Sequence, residues 1–248
     1  MRSTNHIIQK LRAKTGQIAV LVDPEMTNSK GDLQKIVEKA EFAKIDYFFI
    51  GGSTVTRSDF EKTTSILKSL TKIPLVIFPG DHQQISNDAD ALLYLSLLSG
   101  RNPEYLIGQH VKSAQEVIQL DLEIIPTAYI LIDGGKQSTV AYVSQTTPIP
   151  RDNSLIALNT AIAGTLQGNQ VVYFDAGSGA SEPVEVSLIS QVNSRLKTIT
   201  IVGGGVRSVE QIKFLASAGT NVIVIGNKIE EDIDFLLDIQ IYKSNTVS

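Results

Sequence analysis

The sequence predicts a single α/β domain closed into a (β/α)₈ barrel, and three observations carry that prediction. Its 248 residues match the roughly 250 that one such barrel takes. Short β-branched or aromatic runs alternate with amphipathic stretches along the whole chain. The last three of those runs end in glycine-rich clusters, where barrels of this kind place their ligand loops.

Composition sets the outer bounds. With 42% hydrophobic and 19% charged residues the chain can bury a large core. A net charge of −4 argues against a general nucleic-acid binder, which needs a basic excess. The absence of cysteine excludes disulfides and thiolate metal sites, and fits a reducing compartment. No signal-peptide core opens the chain, and the longest apolar run, around Ala91–Leu98, is interrupted by Tyr94 and Ser96. It falls well short of the ~20 residues of a membrane span. A cytoplasmic protein without a membrane anchor is expected. No linker or composition shift divides the chain, so residues 1–248 are expected to form one domain.

Strands are predicted at Ile18–Val22, Tyr47–Ile50, Leu75–Phe78, Ala91–Leu95, Tyr129–Ile132, Val171–Phe174, Ile199–Val202 and Val222–Ile225. Most are continuously apolar, as parallel strands buried on both faces must be. Between them, Leu33, Ile36, Val37 and Ala40 follow the spacing of one buried helical stripe. Ile107, Val111, Ala114 and Ile118 do the same after Asn102-Pro103, an N-cap followed by proline at the first helical position. Ser58…Glu61 and Ser208…Gln211 read as capping boxes. Ser154–Leu166, Pro183–Val192 and Glu230–Ile241 supply further helices. The twelve polar residues between Phe78 and Ala91 cannot hold a full crossover helix, so the third helix is expected to be missing or replaced by a loop. A doubly wound open sheet is the structural alternative.

The glycine clusters are Asp175-Ala-Gly-Ser-Gly-Ala180, Gly203-Gly-Gly-Val-Arg-Ser208 and Gly226-Asn227. Glycine lets a ligand approach the backbone closely, and successive amide groups at such turns cradle an oxyanion. One cluster alone serves equally well as a tight turn. Three on consecutive strand ends favour a phosphate site. Asp23, which ends the first strand in Val-Asp-Pro-Glu, and Ser53, in Gly51-Gly-Ser-Thr54 after the second, offer oxygen ligands suited to Mg²⁺. Taken alone, Asp23 reads rather as a cap of the following turn or as a partner of a lysine. Asp175 can accept a proton from a substrate hydroxyl or fix it by hydrogen bonding. Tyr173 reads either as a ligand contact or as a core aromatic. None of His6, His82 and His110 shows metal-ligand spacing. His110 is expected to be structural and His82 to lie near the barrel mouth, with Arg101 and Asn102 at its rim.

Taken in order, Leu21-Val-Asp-Pro-Glu25, Ile50-Gly-Gly-Ser-Thr54, Ser96-Leu-Leu-Ser-Gly-Arg-Asn-Pro103, Tyr173-Phe-Asp-Ala-Gly-Ser-Gly179, Val202-Gly-Gly-Gly-Val-Arg207 and Val224-Ile-Gly-Asn227 resemble the geranylgeranylglyceryl and heptaprenylglyceryl phosphate synthases. The resemblance spans nearly the whole chain. It implies transfer of a prenyl group from its diphosphate to the 3-hydroxyl of sn-glycerol 1-phosphate, with Mg²⁺, in ether-lipid biosynthesis. It places the metal at Asp23 and Ser53. It places glycerol phosphate on Tyr173, Phe174, Asp175, Ala176, Gly177, Ser178, Gly179, Gly204, Gly205, Gly226 and Asn227, with Asp175 as the catalytic base. The family often has glutamate at the position of Asp175, so this carboxylate reaches one methylene less far. A prenyl tail needs an apolar groove, expected around the third and fourth strands and their neighbouring helices. The resemblance also implies a homo-oligomer, and a lipid donor admits transient contact with a membrane surface. The alternatives are another phosphate-binding barrel enzyme, such as a sugar-phosphate isomerase or synthase, and a non-catalytic phosphometabolite-binding protein.

Overall fold

The computed structural model describes residues 6–27 and 29–246. The expectations for the first five residues, and the ends of the 1–248 domain, lie outside the described residues. Eight parallel strands close into a barrel in sequential order: β1 Gln17–Val22, β2 Tyr47–Ile50, β3 Leu75–Ile77, β4 Ala91–Leu97, β5 Glu123–Leu131, β6 Val171–Asp175, β7 Ile199–Gly203 and β8 Val222–Ile225. The open-sheet alternative is thereby excluded. Side chains alternate across this wall. On β6, Val171 and Tyr173 enter the interior cluster, while Val172 and Phe174 pack against the surrounding helices.

Around the wall run α1 His6–Ala13, α2 Lys30–Phe42, α3 Arg57–Leu70, a π-helical turn Glu104–Gly108 leading into α4 Gln109–Val117, and α5 Thr139–Ser144. They are followed by α6 Ser154–Leu166, α7 Val186–Arg195, α8 Val209–Ser217, α9 Asn227–Glu231 and α10 Phe235–Thr246. Among the described residues no helix is long and apolar enough to cross a membrane. Helix α1 closes the barrel floor with Ile7, Ile8 and Leu11, and its first amides donate to the Glu123 carboxylate at 2.7 and 2.9 Å. That carboxylate satisfies donors that a helix start leaves free.

Several local expectations are corrected. β5 begins six residues before Tyr129, at Glu123. Pro126 disguised it, because proline breaks most strands; here the Pro126 carbonyl still accepts from Gln170 N at 2.9 Å. The cap of α3 is Thr56, whose hydroxyl accepts from Asp59 N at 3.2 Å, so Ser58 lies inside the helix. The capping box Ser208…Gln211 does form. The stretch Glu230–Ile241 is two helices, broken at residues 232–234. Helices α1 and α5 had no counterpart in the sequence reading.

The largest reversal concerns α4. Ile107, Val111 and Ile118 are its exposed face, at 57, 69 and 64% exposure. Ser113 and Val117 are its buried residues. Its inner side lines a cavity with Gln109, His110 and Ser113, so it is polar and aromatic.

No helix joins β3 to β4, as the short polar segment required. The two strands pair only at Val76–Ala91 and Ile77–Leu92, and β4 continues to Leu97 beyond that pairing. This leaves a slot in the barrel wall. The His110 ring Nε2 hydrogen-bonds the Leu95 carbonyl at 2.7 Å in that stretch, and the ring stacks on Tyr94 with centroids 4.1 Å apart. Gln84, 1% exposed, ties the loops on either side of β3. Its Nε2 donates to the Gly52 carbonyl at 2.8 Å, and its Oε1 accepts from Gly80 N at 2.9 Å.

Candidate active site

A cavity of about 370 Å³ opens at the C-terminal ends of the strands. That is where barrels of this class bind ligands, because the βα loops there vary freely over a rigid wall. Its walls bring together Asp23 and Ser53 from the first two strand ends with Tyr173, Asp175, Ser178, Gly226 and Asn227 from the last ones. From the mouth it extends into the slot beside β4, where Phe78, Ile85, Leu92, Tyr94 and Leu95 line it. One end is therefore polar and the other apolar.

At the polar end, Asp175 closes β6 at 8% exposure. Its Oδ2 accepts the Tyr129 hydroxyl at 2.6 Å and its Oδ1 accepts Gly177 N at 2.7 Å. Burial raises the Asp175 carboxyl above its ordinary range, and those two hydrogen bonds oppose the rise. Burial also holds the Tyr129 and Tyr173 phenols well above theirs, so both stay protonated. The Tyr173 ring stacks on Phe78 at 4.9 Å and meets Tyr129 edge-on at 5.5 Å. Tyr173 is a core aromatic, 1% exposed, that also lines the cavity.

The turn after Asp175 carries Ser178 and Gly179, whose hydroxyl and amide both donate to Asn227 Oδ1, at 3.1 and 2.9 Å. Asn227 in turn donates to Glu230 at 3.1 Å. These two donors converge on one oxygen atom, the arrangement that a phosphate oxygen also requires. Gly204 backs directly onto this turn: a Cβ there would stand 2.7 Å from Asp175 Oδ1 and from Gly177 N. Gly177, Gly179, Gly204 and Gly205 do not line the cavity; Gly177 is buried beneath the turn, whereas Gly179 is exposed with open space where a Cβ would stand. Phe174 and Ala176 point into the packing layer between wall and helices, so only their backbone can meet a ligand.

Across the mouth, Asp23 lies against Gly52, where a Cβ would come within 2.8 Å of both carboxylate oxygens. Asp23 Oδ1 also accepts from Glu25 N at 2.9 Å, so the residue caps its turn and lines the cavity as well. Burial raises its carboxyl; the hydrogen bond from Glu25 N opposes that rise, and the Glu25 charge adds a smaller push upward. Among the described residues no group of three or more His, Cys, Asp and Glu side chains could hold a metal ion. A single carboxylate with a nearby hydroxyl instead fits an ion that takes most of its oxygen ligands from phosphate and water, as Mg²⁺ does.

The other sequence candidates separate. His82 lines the cavity, with Nδ1 2.9 Å from Gln109 Oε1, and His110 lines it too. Arg101 does not: it is exposed and bonds the Leu98 and Gly100 carbonyls. Asn102 caps the following helix, accepting from Glu104 N at 3.0 Å, and is absent from the cavity wall. Sequence reasoning missed Tyr129, Gln84 and Glu230. For Tyr129 a signal existed, since a buried tyrosine on a barrel strand must find a partner for its hydroxyl.

The model of the PcrB family matches residues 9–243 of this chain. The chain belongs to the PcrB family. A relative from Chitinophaga pinensis, a geranylgeranylglyceryl phosphate synthase, is 46% identical over 235 residues, covering 95% of this chain and 93% of the relative. An enzyme of the same name from Korarchaeum cryptofilum is 37% identical over 229 residues, covering 92 and 93%. The solved (S)-3-O-geranylgeranylglyceryl phosphate synthase of Thermoplasma acidophilum, in complex with its substrate sn-glycerol-1-phosphate, superposes with a TM-score of 0.89. It shares 33% identity and each chain covers 98% of the other. Membership in the PcrB family thus rests on both sequence and architecture along almost the full chain.

Proposed function

We propose that this PcrB-family chain is a prenyltransferase that moves a geranylgeranyl or similar long prenyl group from its diphosphate to the 3-hydroxyl of sn-glycerol 1-phosphate. The observation that carries this reading is one cavity joining a phosphate-type turn and a buried carboxylate to an apolar slot. A sugar-phosphate enzyme has no use for such a slot.

In this reading the turn at Ser178–Gly179 and the Gly226–Asn227 end hold the acceptor's phosphate, and Asn227 yields its place to a phosphate oxygen. Asp175 takes the proton of the 3-hydroxyl as its oxygen forms a bond to C1 of the prenyl group. The C1–O bond to diphosphate breaks, and diphosphate leaves. Asp23 and Ser53 are the residues that would hold Mg²⁺. When bound there, the ion would neutralise the negative charge of the departing diphosphate. The slot between β3 and β4 takes the prenyl tail, with Ile85, Leu92, Tyr94 and Leu95 as its apolar walls. Holding both substrates in one cavity converts a two-substrate encounter into a local reaction. A cytoplasmic location, self-association and transient contact with a membrane surface, from which the donor is drawn, belong to the same proposal.

The test is incubation with Mg²⁺, labelled glycerol 1-phosphate and prenyl diphosphates of several lengths. Lipid-soluble label with at least one donor is expected, and omission of Mg²⁺ is expected to abolish it. No such product with any donor would overturn the proposal. Sedimentation velocity reads the oligomeric state.

A further inference from the structure

We propose that Tyr129 is a positioning residue for this reaction: its hydroxyl pins the Asp175 carboxylate in the orientation in which it meets the acceptor hydroxyl. The proposal rests on the prenyl-transfer reading above and goes beyond it by naming what holds the base.

The arrangement begins in the register of the barrel. Tyr129 on β5 pairs with Tyr173 on β6, and Leu131 pairs with Asp175, so Tyr129 lies two positions below the carboxylate on the adjoining strand. Its side chain points into the barrel, where the ring is fixed on two sides. It meets Phe78 at 5.7 Å with planes at 74° and Tyr173 at 5.5 Å with planes at 89°. Both aromatic pairs are edge-to-face, the packing that rings prefer. A ring locked in this way can aim its hydroxyl in only one direction, and that direction is Asp175 Oδ2, 2.6 Å away.

Gly177 N holds the other oxygen at 2.7 Å. With only that bond, the carboxylate could swing about its Cβ–Cγ axis. With a second, charge-assisted bond on the opposite oxygen, both oxygens are fixed and the remaining lone pairs are turned to the cavity that Asp175 lines.

The surroundings leave Tyr129 as the dominant polar influence. Facing Asp175 are the phenol of Tyr129 from β5 and that of Tyr173 from its own strand, while β7 offers Gly203 at the paired position. Asp23, from the end of β1, and Glu230, from α9, line the same cavity.

The test is Tyr129→Phe, which keeps the ring and removes the hydroxyl. The turnover number is expected to fall tenfold or more, while the KM for glycerol 1-phosphate and its affinity by calorimetry stay within about threefold. The acidic limb of the rate profile is expected to move up by about one pH unit, since the anion loses its strongest donor. Independently of turnover, ¹³C-carboxyl NMR of Asp175, assigned with Asp175→Asn, is expected to show the same upward move of the titration midpoint. That measurement stands even if the wild-type protein proves inactive with every donor, which would overturn the proposed function alone. An unchanged turnover number would overturn the role of Tyr129. So would a loss of activity with unmoved pH profile and midpoint, which would mark the hydroxyl as merely structural.

Discussion

Replacing Gln84 by leucine tests how the barrel holds its mouth together without a third crossover helix. The side chain is 1% exposed and makes two short bonds, one to the Gly52 carbonyl at 2.8 Å and one from Gly80 N at 2.9 Å. Longer contacts reach Val55 O at 3.4 Å and Gly52 N at 3.5 Å. Leucine fills nearly the same space and replaces none of these. Two partly buried backbone groups are then left without a partner, at about 1–3 kcal/mol each. Water reaches this loop region from the cavity, so the lower half of that range applies and the total is about 3 kcal/mol. For a domain of this size that lowers the melting temperature by roughly 6–12 °C. Because Gly52 adjoins both Asp23 and Ser53, turnover should fall further than stability alone explains. Urea unfolding and calorimetric melting measure the first effect, and turnover at a temperature where the variant is fully folded measures the second. A loss below 1 kcal/mol with normal turnover would refute the view that Gln84 clamps these loops.

Asp23→Asn is expected to lower turnover at least a hundredfold while changing glycerol 1-phosphate affinity less than threefold; calorimetry and kinetics on one preparation compare the two. Gly204 and Gly179 both have left-handed backbone, at φ +78° and +74°, yet a Cβ at Gly204 meets Asp175 whereas one at Gly179 meets open space. Gly179→Ala should therefore cost only the backbone strain of about 1–2 kcal/mol, and Gly204→Ala about 3 kcal/mol together with most of the turnover, as read by urea unfolding and assay. For His110, burial lowers the imidazole below its ordinary 6.5, with the bond to the Leu95 carbonyl opposing. Its contribution to stability is full above pH 6.5 and is lost as the pH falls from there through the lowered folded value. His110→Phe keeps the stack on Tyr94, so unfolding measured from pH 7.5 to 5 should lose that pH dependence while the fold persists.

The barrel was legible because its cause is repeated. Eight apolar runs, each buried on both faces, leave a parallel closed sheet as the economical solution, and the strand positions followed to within a few residues. The one strand badly placed, β5, was hidden by Pro126, which has no amide to donate yet pairs with the neighbouring strand's edge through its carbonyl. The tight turn after β6 was legible for a related reason, since glycine clusters declare backbone geometry directly. The partners of Asp175 and Gln84 were not. A hydrogen bond from Tyr129 to Asp175 spans 46 residues, and its existence depends on the register between β5 and β6. No local pattern encodes that register.

The error at α4 shows how a site can invert a sequence rule. An apolar stripe at helical spacing is taken to face the core because, in most helices, the core is the only apolar surface to pack on. Helix α4 follows β4, which runs on to Leu97 beyond its pairing with β3 at Leu92, and no crossover helix joins those two strands. Its inner face must line a cavity, so it presents His110 and Ser113 there, and the Ile107–Val111–Ile118 stripe is left outside. The missing helix and the misread stripe are thus one fact seen twice. Without a crossover helix there, β4 is left half-buried at Tyr94, Leu95 and Ser96, and the first two of these line the slot. The polar segment 79–90 already announced the gap, and the inversion of α4 follows from it.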